Sequence, residues 1–155
     1  MQNLRQSKLI IEQHFHGAFG IDFSICSVEE VLELAKTLLK HGIGGFFPTL
    51  VTDSVENIKR QIVIFKKAQK LQTEDMADLL GVHIEGIFLN PAKKGIHDET
   101  QFLDVTIENY QKIEDDIIKI VTLAPELDND AELRKYLISK GIKIQAGHCI
   151  GGDLT

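Results

Sequence analysis

Short apolar runs alternate with segments of helical periodicity along most of the chain. The runs are mostly continuous, as expected for strands that are covered on both faces or closed into a barrel. Regular alternation of strand and helix favours a parallel sheet with right-handed crossovers. We therefore predict an α/β fold with about five parallel strands in a single domain, residues 1–155. The predicted strands are residues 9–11, 43–47, 79–82, 117–123 and 142–146.

Four segments carry the start and stop signals of helices. In the first, Ser27 and Glu30 have the spacing of a capping box, and Gly42 stands where a glycine commonly ends a helix. Apolar residues recur between them at helical spacing, which predicts a helix. The other helices are predicted from residues 53–56 to about Lys70, from Asp104 or Thr106 to about Ile113, and from Asp128 to Ser139.

Composition narrows the classes of function. The net charge of −6 argues against general nucleic-acid binding, which usually needs a basic face. No apolar run approaches the roughly 20 residues of a membrane span, and the first residues lack the layout of a signal peptide. Cys26 and Cys149 match no metal-binding or redox spacing, and we interpret them as packed small residues. We expect a cytoplasmic protein with no nucleic-acid or membrane partner.

Polar and ionisable residues stand at the ends of several predicted strands. In α/β folds, and above all in TIM barrels, chemistry collects at the carboxyl ends of the strands. A barrel brings such residues together more readily than a flat sheet, which favours a fold of TIM-barrel type. The residues at these ends are His14, His16, Pro48, Thr49, His83, Glu85, Glu126 and His148.

Imidazole and carboxylate groups in this arrangement predict a metal site. Alternation along a strand sends His14 and His16 to the same side. Neutral imidazole together with carboxylate suits zinc or ferrous iron. A lone histidine is more often structural than a ligand, and we interpret His41, beside a helix-ending glycine, in that way.

Seven short segments are distributed along nearly the whole chain from about Gln13. They are His-Phe-His-Gly at 14–17, Phe-Pro-Thr-Leu at 47–50, His-Ile-Glu-Gly at 83–86, Phe-Leu-Asn-Pro at 88–91, Lys-Lys-Gly-Ile-His at 93–97, Val-Thr-Leu-Ala-Pro-Glu at 121–126 and Gly-His at 147–148. In order and spacing they resemble motifs of the N-acetylglucosamine-6-phosphate deacetylases, a family of the amidohydrolase superfamily. No single segment is decisive, but the ordered series is specific.

The resemblance implies a distorted TIM barrel and a hydrolase that removes the acetyl group from N-acetylglucosamine 6-phosphate. Metal-bound hydroxide would attack the acetamide carbonyl. A divalent metal, zinc or iron, is implied as one or two ions, and the substrate is a small amino-sugar phosphate. By the resemblance, His14 and His16 are ligands of one metal position, Glu85 holds or bridges metal, and His148 is a further ligand. His97, together with the backbone of Ile96, contacts the substrate.

Several features depart from the family pattern. Glu12 replaces the usual aspartate, and Ile87 stands where a proline normally follows His-x-Glu-Gly. The aspartate that moves protons in the family comes from a late strand and has no counterpart here, so the catalytic residue is unknown. Asp153 lies too close in sequence to His148 to fill that role.

Two alternatives remain open at this point. A partial barrel exposes two sheet edges and an apolar face, so we expect a homo-oligomer or a need for the missing half of the barrel. The chain could accordingly be a catalytically inactive half-barrel that binds metal or sugar phosphate, or an assembly piece. A second enzyme alternative is a metal-dependent amidohydrolase that acts on a cyclic amide.

Overall fold

Parallel strands and the helices that follow them make up the fold in the computed structural model, which describes residues 9–151. In chain order the elements are β1 (Ile10–Phe15), β2 (Gly17–Ala18), β3 (Ile21–Asp22), α1 (Val28–Lys40), β4 (Ile43–Leu50), α2 (Val55–Leu71), β5 (Asp78–Leu79), β6 (Val82–Glu85), α3 (Ile107–Gln111), β7 (Ile118–Leu123), α4 (Glu132–Ser139) and β8 (Lys143–Ala146).

Five of the strands form one curled parallel sheet in the order β1-β4-β6-β7-β8, and the short β5 also pairs with β4. Each step between neighbouring strands is parallel, and together they make half of a barrel. The prediction of an α/β fold with about five parallel strands is confirmed. Among the described residues, no helix has the length and apolar character needed to cross a membrane.

The first two helices begin where their capping residues place them. The Ser27 hydroxyl accepts a hydrogen bond from the Glu30 backbone N–H, and the Glu30 carboxylate accepts one from the Ser27 N–H, so the predicted capping box is present. Ser54 caps α2 by accepting from the Asn57 N–H at 3.2 Å. Both caps satisfy backbone donors that would otherwise lack a partner at a helix start.

Apolar residues from the helices and from one face of the sheet form the core. Phe65 of α2 is fully buried and meets the ring of Phe23 edge-on, with the ring centroids 5.6 Å apart. Ile84 of β6 and Val121 of β7 are buried on the same side. Because side chains alternate along a strand, their neighbours His83, Glu85 and Thr122 are directed to the opposite face.

The two histidine- and carboxylate-bearing strands differ from their predicted bounds. β1 does not end at residue 11 but continues to Phe15, so His14 lies within it. The predicted strand 79–82 is split: β5 ends at Leu79, and β6 starts at Val82. The chain passes very close to its neighbour between the two, since a Cβ on Gly81 would lie 2.3 Å from Lys119 Cγ.

The predicted helix from Asp128 begins later, at Glu132. Asp130 and Ala131 have φ of 53° and 56°, in the left-handed region, which interrupts helical geometry. The Asp128 carboxylate instead accepts hydrogen bonds from the backbone N–H groups of Leu133 and Arg134, both at 3.0 Å. A further difference is the small antiparallel β2–β3 hairpin, which lies outside the predicted strands.

Candidate metal centre

Glu85 lies at the centre of a cluster of imidazoles at the carboxyl end of the sheet. Its side chain is 6% exposed, and its two oxygens face different histidines. Oε2 lies 2.9 Å from His14 Nε2 and 3.1 Å from His16 Nε2. Oε1 lies 3.4 Å from His148 Nε2. The four residues predicted from the sequence as metal ligands are thus brought together, by β1 and the residue that follows it, by β6 and by the segment after β8.

Backbone carbonyl groups orient two of these imidazoles. His16 Nδ1 lies 3.1 Å from the Thr49 carbonyl oxygen, and His148 Nδ1 lies 2.9 Å from that of Lys93. Because a carbonyl oxygen can only accept, each Nδ1 donates its proton and the Nε2 atom is directed at Glu85. A ring N–H that donates to a carbonyl while the other nitrogen faces a shared centre is the usual arrangement around metal-ligating histidines.

The carboxylate and the imidazoles change each other's protonation. Burial alone would raise the pKa of Glu85, but hydrogen bonds and charge interactions with His16 and His14 lower it to about 2. The hydrogen bond with Glu85 in turn raises the pKa of His16, against the opposing effect of burial. Glu85 is therefore a carboxylate at neutral pH, and its negative charge favours the protonated form of His16.

His97 extends the cluster on the side of His148. Its side chain is buried, its ring meets that of His148 at a centroid distance of 4.5 Å, and its Nδ1 lies 2.8 Å from Thr52 Oγ1. Burial, followed by the nearby His148, lowers the pKa of His97. The His97 ring is directed into the cluster, while the neighbouring Ile96, whose backbone is predicted to contact the substrate, is 94% exposed.

The donor atoms fit a divalent cation. One ligand atom from each of His14, His16 and Glu85 lies within 4.8 Å of the others, and the same holds for Glu85, His97 and His148. When His16 or His148 carries a lone pair on Nε2, two acceptors face each other across about 3 Å, and a proton or a cation between them removes the repulsion. Imidazole and carboxylate ligands suit zinc and iron.

His83 has a different environment from the histidines around Glu85. It is fully buried, its Nδ1 lies 2.9 Å from the Gln13 carbonyl oxygen, and its Nε2 lies 2.7 Å from Thr122 Oγ1. Burial lowers its pKa to about 4, so the ring is neutral at neutral pH. The sequence placed His83 among the strand-end residues but gave no sign of these buried contacts. The signal available was its period-2 relation to Glu85, which puts both side chains on one face.

The loops around His148 are tied together by Glu126. Its Oε1 accepts hydrogen bonds from Asn90 Nδ2 at 3.0 Å and from the Ile150 backbone N–H at 2.7 Å. His148 itself has a φ of 50°, a conformation that non-glycine residues adopt infrequently. Glu126 therefore supports the segment that carries His148, while Asp153 lies outside the described residues.

Sequence comparisons show which known proteins the chain is similar to. The N-acetylglucosamine-6-phosphate deacetylase of Danio rerio is 36% identical over 156 residues, which cover 94% of this chain and 37% of that protein. The protein of the same name from Rattus norvegicus is 36% identical over 151 residues, 90% of this chain and 36% of the relative. No family model matches the chain.

Solved structures agree with the sequence relatives. The crystal structure of N-acetylglucosamine-6-phosphate deacetylase from Thermotoga maritima matches with a TM-score of 0.77 at 29% identity, over 91% of this chain and 37% of that one. This chain spans little more than a third of the length of the curated relatives it matches. Over the length that they share, it is related in sequence and in fold to the N-acetylglucosamine-6-phosphate deacetylases, as its motifs predicted.

Proposed function

We propose that the protein is a metal-dependent amidohydrolase that removes the acetyl group from N-acetylglucosamine 6-phosphate. The observation that carries the proposal is the convergence of His14, His16 and His148 on the two oxygens of one buried carboxylate, Glu85. The names of the related proteins support the substrate and the reaction. Zinc or iron is proposed as the metal, because these ions accept both imidazole and carboxylate ligands.

In this proposal the residues of the chain hold the metal and direct the substrate. His14 and His16 would hold a metal ion on the Oε2 side of Glu85, and His148 would hold a metal ion on the Oε1 side. His97 contacts the substrate from the buried wall of the site. Burial lowers the pKa of His97, which favours the neutral ring, a form with one hydrogen-bond donor and one acceptor. A bound divalent cation supplies Lewis-acid chemistry, polarising a carbonyl oxygen and making water a stronger acid.

Elemental analysis of the purified chain tests the metal site. We expect near-stoichiometric zinc or iron in the wild type and loss of that metal in His14→Ala and Glu85→Ala. His41→Ala is the matched control, since His41 is exposed, stacks on Phe19 and lies at the end of α1. Folded protein without metal, or equal metal in all variants, contradicts the proposed site.

Acetate release from N-acetylglucosamine 6-phosphate tests the reaction. We assign no catalytic residue among the described residues. The assay is therefore run on the chain alone and also with a supplied carboxyl-terminal portion of a relative. Turnover that appears with the supplied portion, and is lost in Glu85→Ala, is the expected result. A cyclic amide substrate in the same assay examines the second enzyme alternative.

The exposed apolar surface favours a second candidate, in which the chain acts as an assembly piece that needs a covering partner. Leu9, Ile10 and Ile11 at the β1 edge are 46%, 62% and 53% exposed. The barrel side of the sheet also holds an open groove of about 380 Å³, lined in part by Phe47 and Ile120. Light scattering decides between association with itself and a monomer, and a monomer with full deacetylase activity contradicts this candidate.

A further inference from the structure

Strand β1 is irregular around His14, just before His16 follows the strand. In the pairing of β1 with β4, Glu12 lies opposite Phe46 and Phe15 lies opposite Pro48. Three steps along β1 therefore match two steps along β4, which is the geometry of a β-bulge. Pro48 has no backbone N–H to donate to the neighbouring strand. The backbone around His14 thus needs hydrogen-bond partners from outside the regular ladder.

Two buried side chains supply those partners. The Gln13 carbonyl oxygen, in the peptide bond that precedes His14, lies 2.9 Å from His83 Nδ1. The Phe15 N–H, which follows His14, donates to Thr49 Oγ1 at 3.2 Å. Thr49 Oγ1 lies 3.3 Å from His83 Nδ1, so the two side chains form one unit. His83 is 0% and Thr49 is 1% exposed, which leaves no place for water to substitute for them.

We propose that His83 and Thr49 are positioning residues, whose side chains replace missing ladder hydrogen bonds and hold the β1 bulge that presents His14 and His16 to Glu85. The inference rests on the proposed function in so far as His14 and His16 bind metal. Neither His83 nor Thr49 is assigned as a ligand, and both act through the backbone of β1.

The far side of the His83 imidazole makes a separate contact, which provides a control for the contact with β1. Its Nε2 lies 2.7 Å from Thr122 Oγ1 on β7, while Nδ1 reaches β1. One rigid ring on β6 therefore contacts both β7, the neighbouring strand, and β1, which lies beyond β4 in the sheet. The ring of His14 lies against it, with centroids 5.0 Å apart. A side chain with no donor at the position of Nδ1 would leave the Gln13 carbonyl without this partner and the bulge less firmly held.

Amide substitutions separate the two ends of the ring. In His83→Asn the amide nitrogen lies as many bonds from Cα as Nδ1 does, so it can still donate to the Gln13 carbonyl. In His83→Gln the polar group lies at the position of Nε2 and keeps the contact with Thr122. Thr122→Val is the matched control, because it removes a buried hydrogen bond of the same ring without affecting β1.

Zinc affinity, measured by isothermal titration calorimetry on the purified chain, is the first readout. We expect His83→Gln to lower it by about 10- to 100-fold, the usual loss when the support of a ligand is removed. His83→Asn and Thr122→Val should stay within about threefold of the wild type, since the contact with β1 remains. Thr49→Val should behave like His83→Gln, and Thr49→Ser like the wild type.

Hydrogen exchange of the Phe15 amide in the metal-free chain is the second readout, and it does not depend on the proposed function. We expect faster exchange in His83→Gln and Thr49→Val, with the α1 and α2 amides protected as in the wild type. If the wild type binds no zinc, the proposed function fails and this exchange alone decides the positioning role. Unchanged Phe15 exchange in both variants, or an equal effect of Thr122→Val, overturns the inference.

Discussion

The two faces of the same sheet are built from different chemistry. On the helix-covered face, Phe65, Ile84 and Val121 are fully or almost fully buried among apolar neighbours. On the barrel face, Glu85 and His83 are just as buried, but each is satisfied by specific polar partners. Burial in itself therefore does not distinguish core from site here. The difference is that the apolar side chains are stabilised by close packing, whereas the buried polar side chains require hydrogen-bond or ion-pair partners.

The largest expected effect comes from the helix-covered face. Phe65→Ala should lower the free energy of unfolding by about 3–5 kcal/mol, because it removes a fully buried ring and leaves a cavity. Urea denaturation measures the loss. Val63→Ala, on the same helix at a position that is 50% exposed, should change stability by no more than about 0.5 kcal/mol. Equal losses at the two positions would contradict a core on this side.

On the barrel face, the main contribution to stability is expected from the bound ion. Zinc at 100 times its dissociation constant should raise the free energy of unfolding by about 2.7 kcal/mol in the wild type. Glu85→Gln keeps the shape but removes the charge shared by the imidazoles, so the increment should disappear. Glu33→Gln, at an exposed position of α1, is the control. Thermal unfolding with and without zinc measures this increase in stability. An increase in Glu85→Gln as large as in the wild type would contradict the stabilising role of an ion bound at Glu85.

A smaller effect is expected at the start of α1. Ser27→Ala should cost about 1 kcal/mol of stability, because the Glu30 N–H loses its acceptor at the helix start. Ser27→Asp keeps an acceptor and should recover most of the loss. Zinc affinity should stay unchanged in both variants, since the capping box lies on the helical side of the sheet. A drop in zinc affinity would show that the two faces are coupled through α1.

The smallest effect is a difference in thiol reactivity. Burial raises the pKa of Cys26 from 9.0 to about 12, so its reactive thiolate stays scarce in the folded protein, whereas Cys149 is half-buried beside His148. At pH 8 we expect iodoacetamide to label Cys149 at least about tenfold faster, as followed by mass spectrometry. In urea the two rates should converge.

The protonated Cys26 also stabilises the fold below about pH 9, a contribution lost as the pH rises towards 12.

Local signals in the sequence predicted the helices well and some strand bounds poorly. The capping box at Ser27 involves residues three apart, so it can be recognised without tertiary information. The run 79–82 was predicted as one strand, although a glycine inside a strand pattern can mark a break, and the structure interrupts the strand at Leu80 and Gly81. The left-handed residues Asp130 and Ala131 delay α4 in the same unforeseen way.

The sequence indicated which residues meet at the candidate site, but it did not distinguish candidate ligands from the residues packed behind them. The sequence pointed to His14, His16, Glu85 and His148, and the fold brings them together. It did not separate His83 from Glu85, because both side chains point to one face of β6. Which of the two is surrounded by backbone carbonyls and hydroxyls depends on β1 and β7, strands that are distant in sequence. Likewise, only the fold shows that Ile96 is exposed while His97 is buried.

The two oxygens of Glu85 make its neighbouring histidines thermodynamically interdependent. One negative charge serves His14 and His16 on one side and His148 on the other. A cation held on either side withdraws part of that charge, so a second cation on the opposite side meets a weaker partner. By linkage the penalty is reciprocal, whichever side is filled first. We expect two unequal binding steps when the chain is titrated with metal, with the weaker step set by occupancy of the first side.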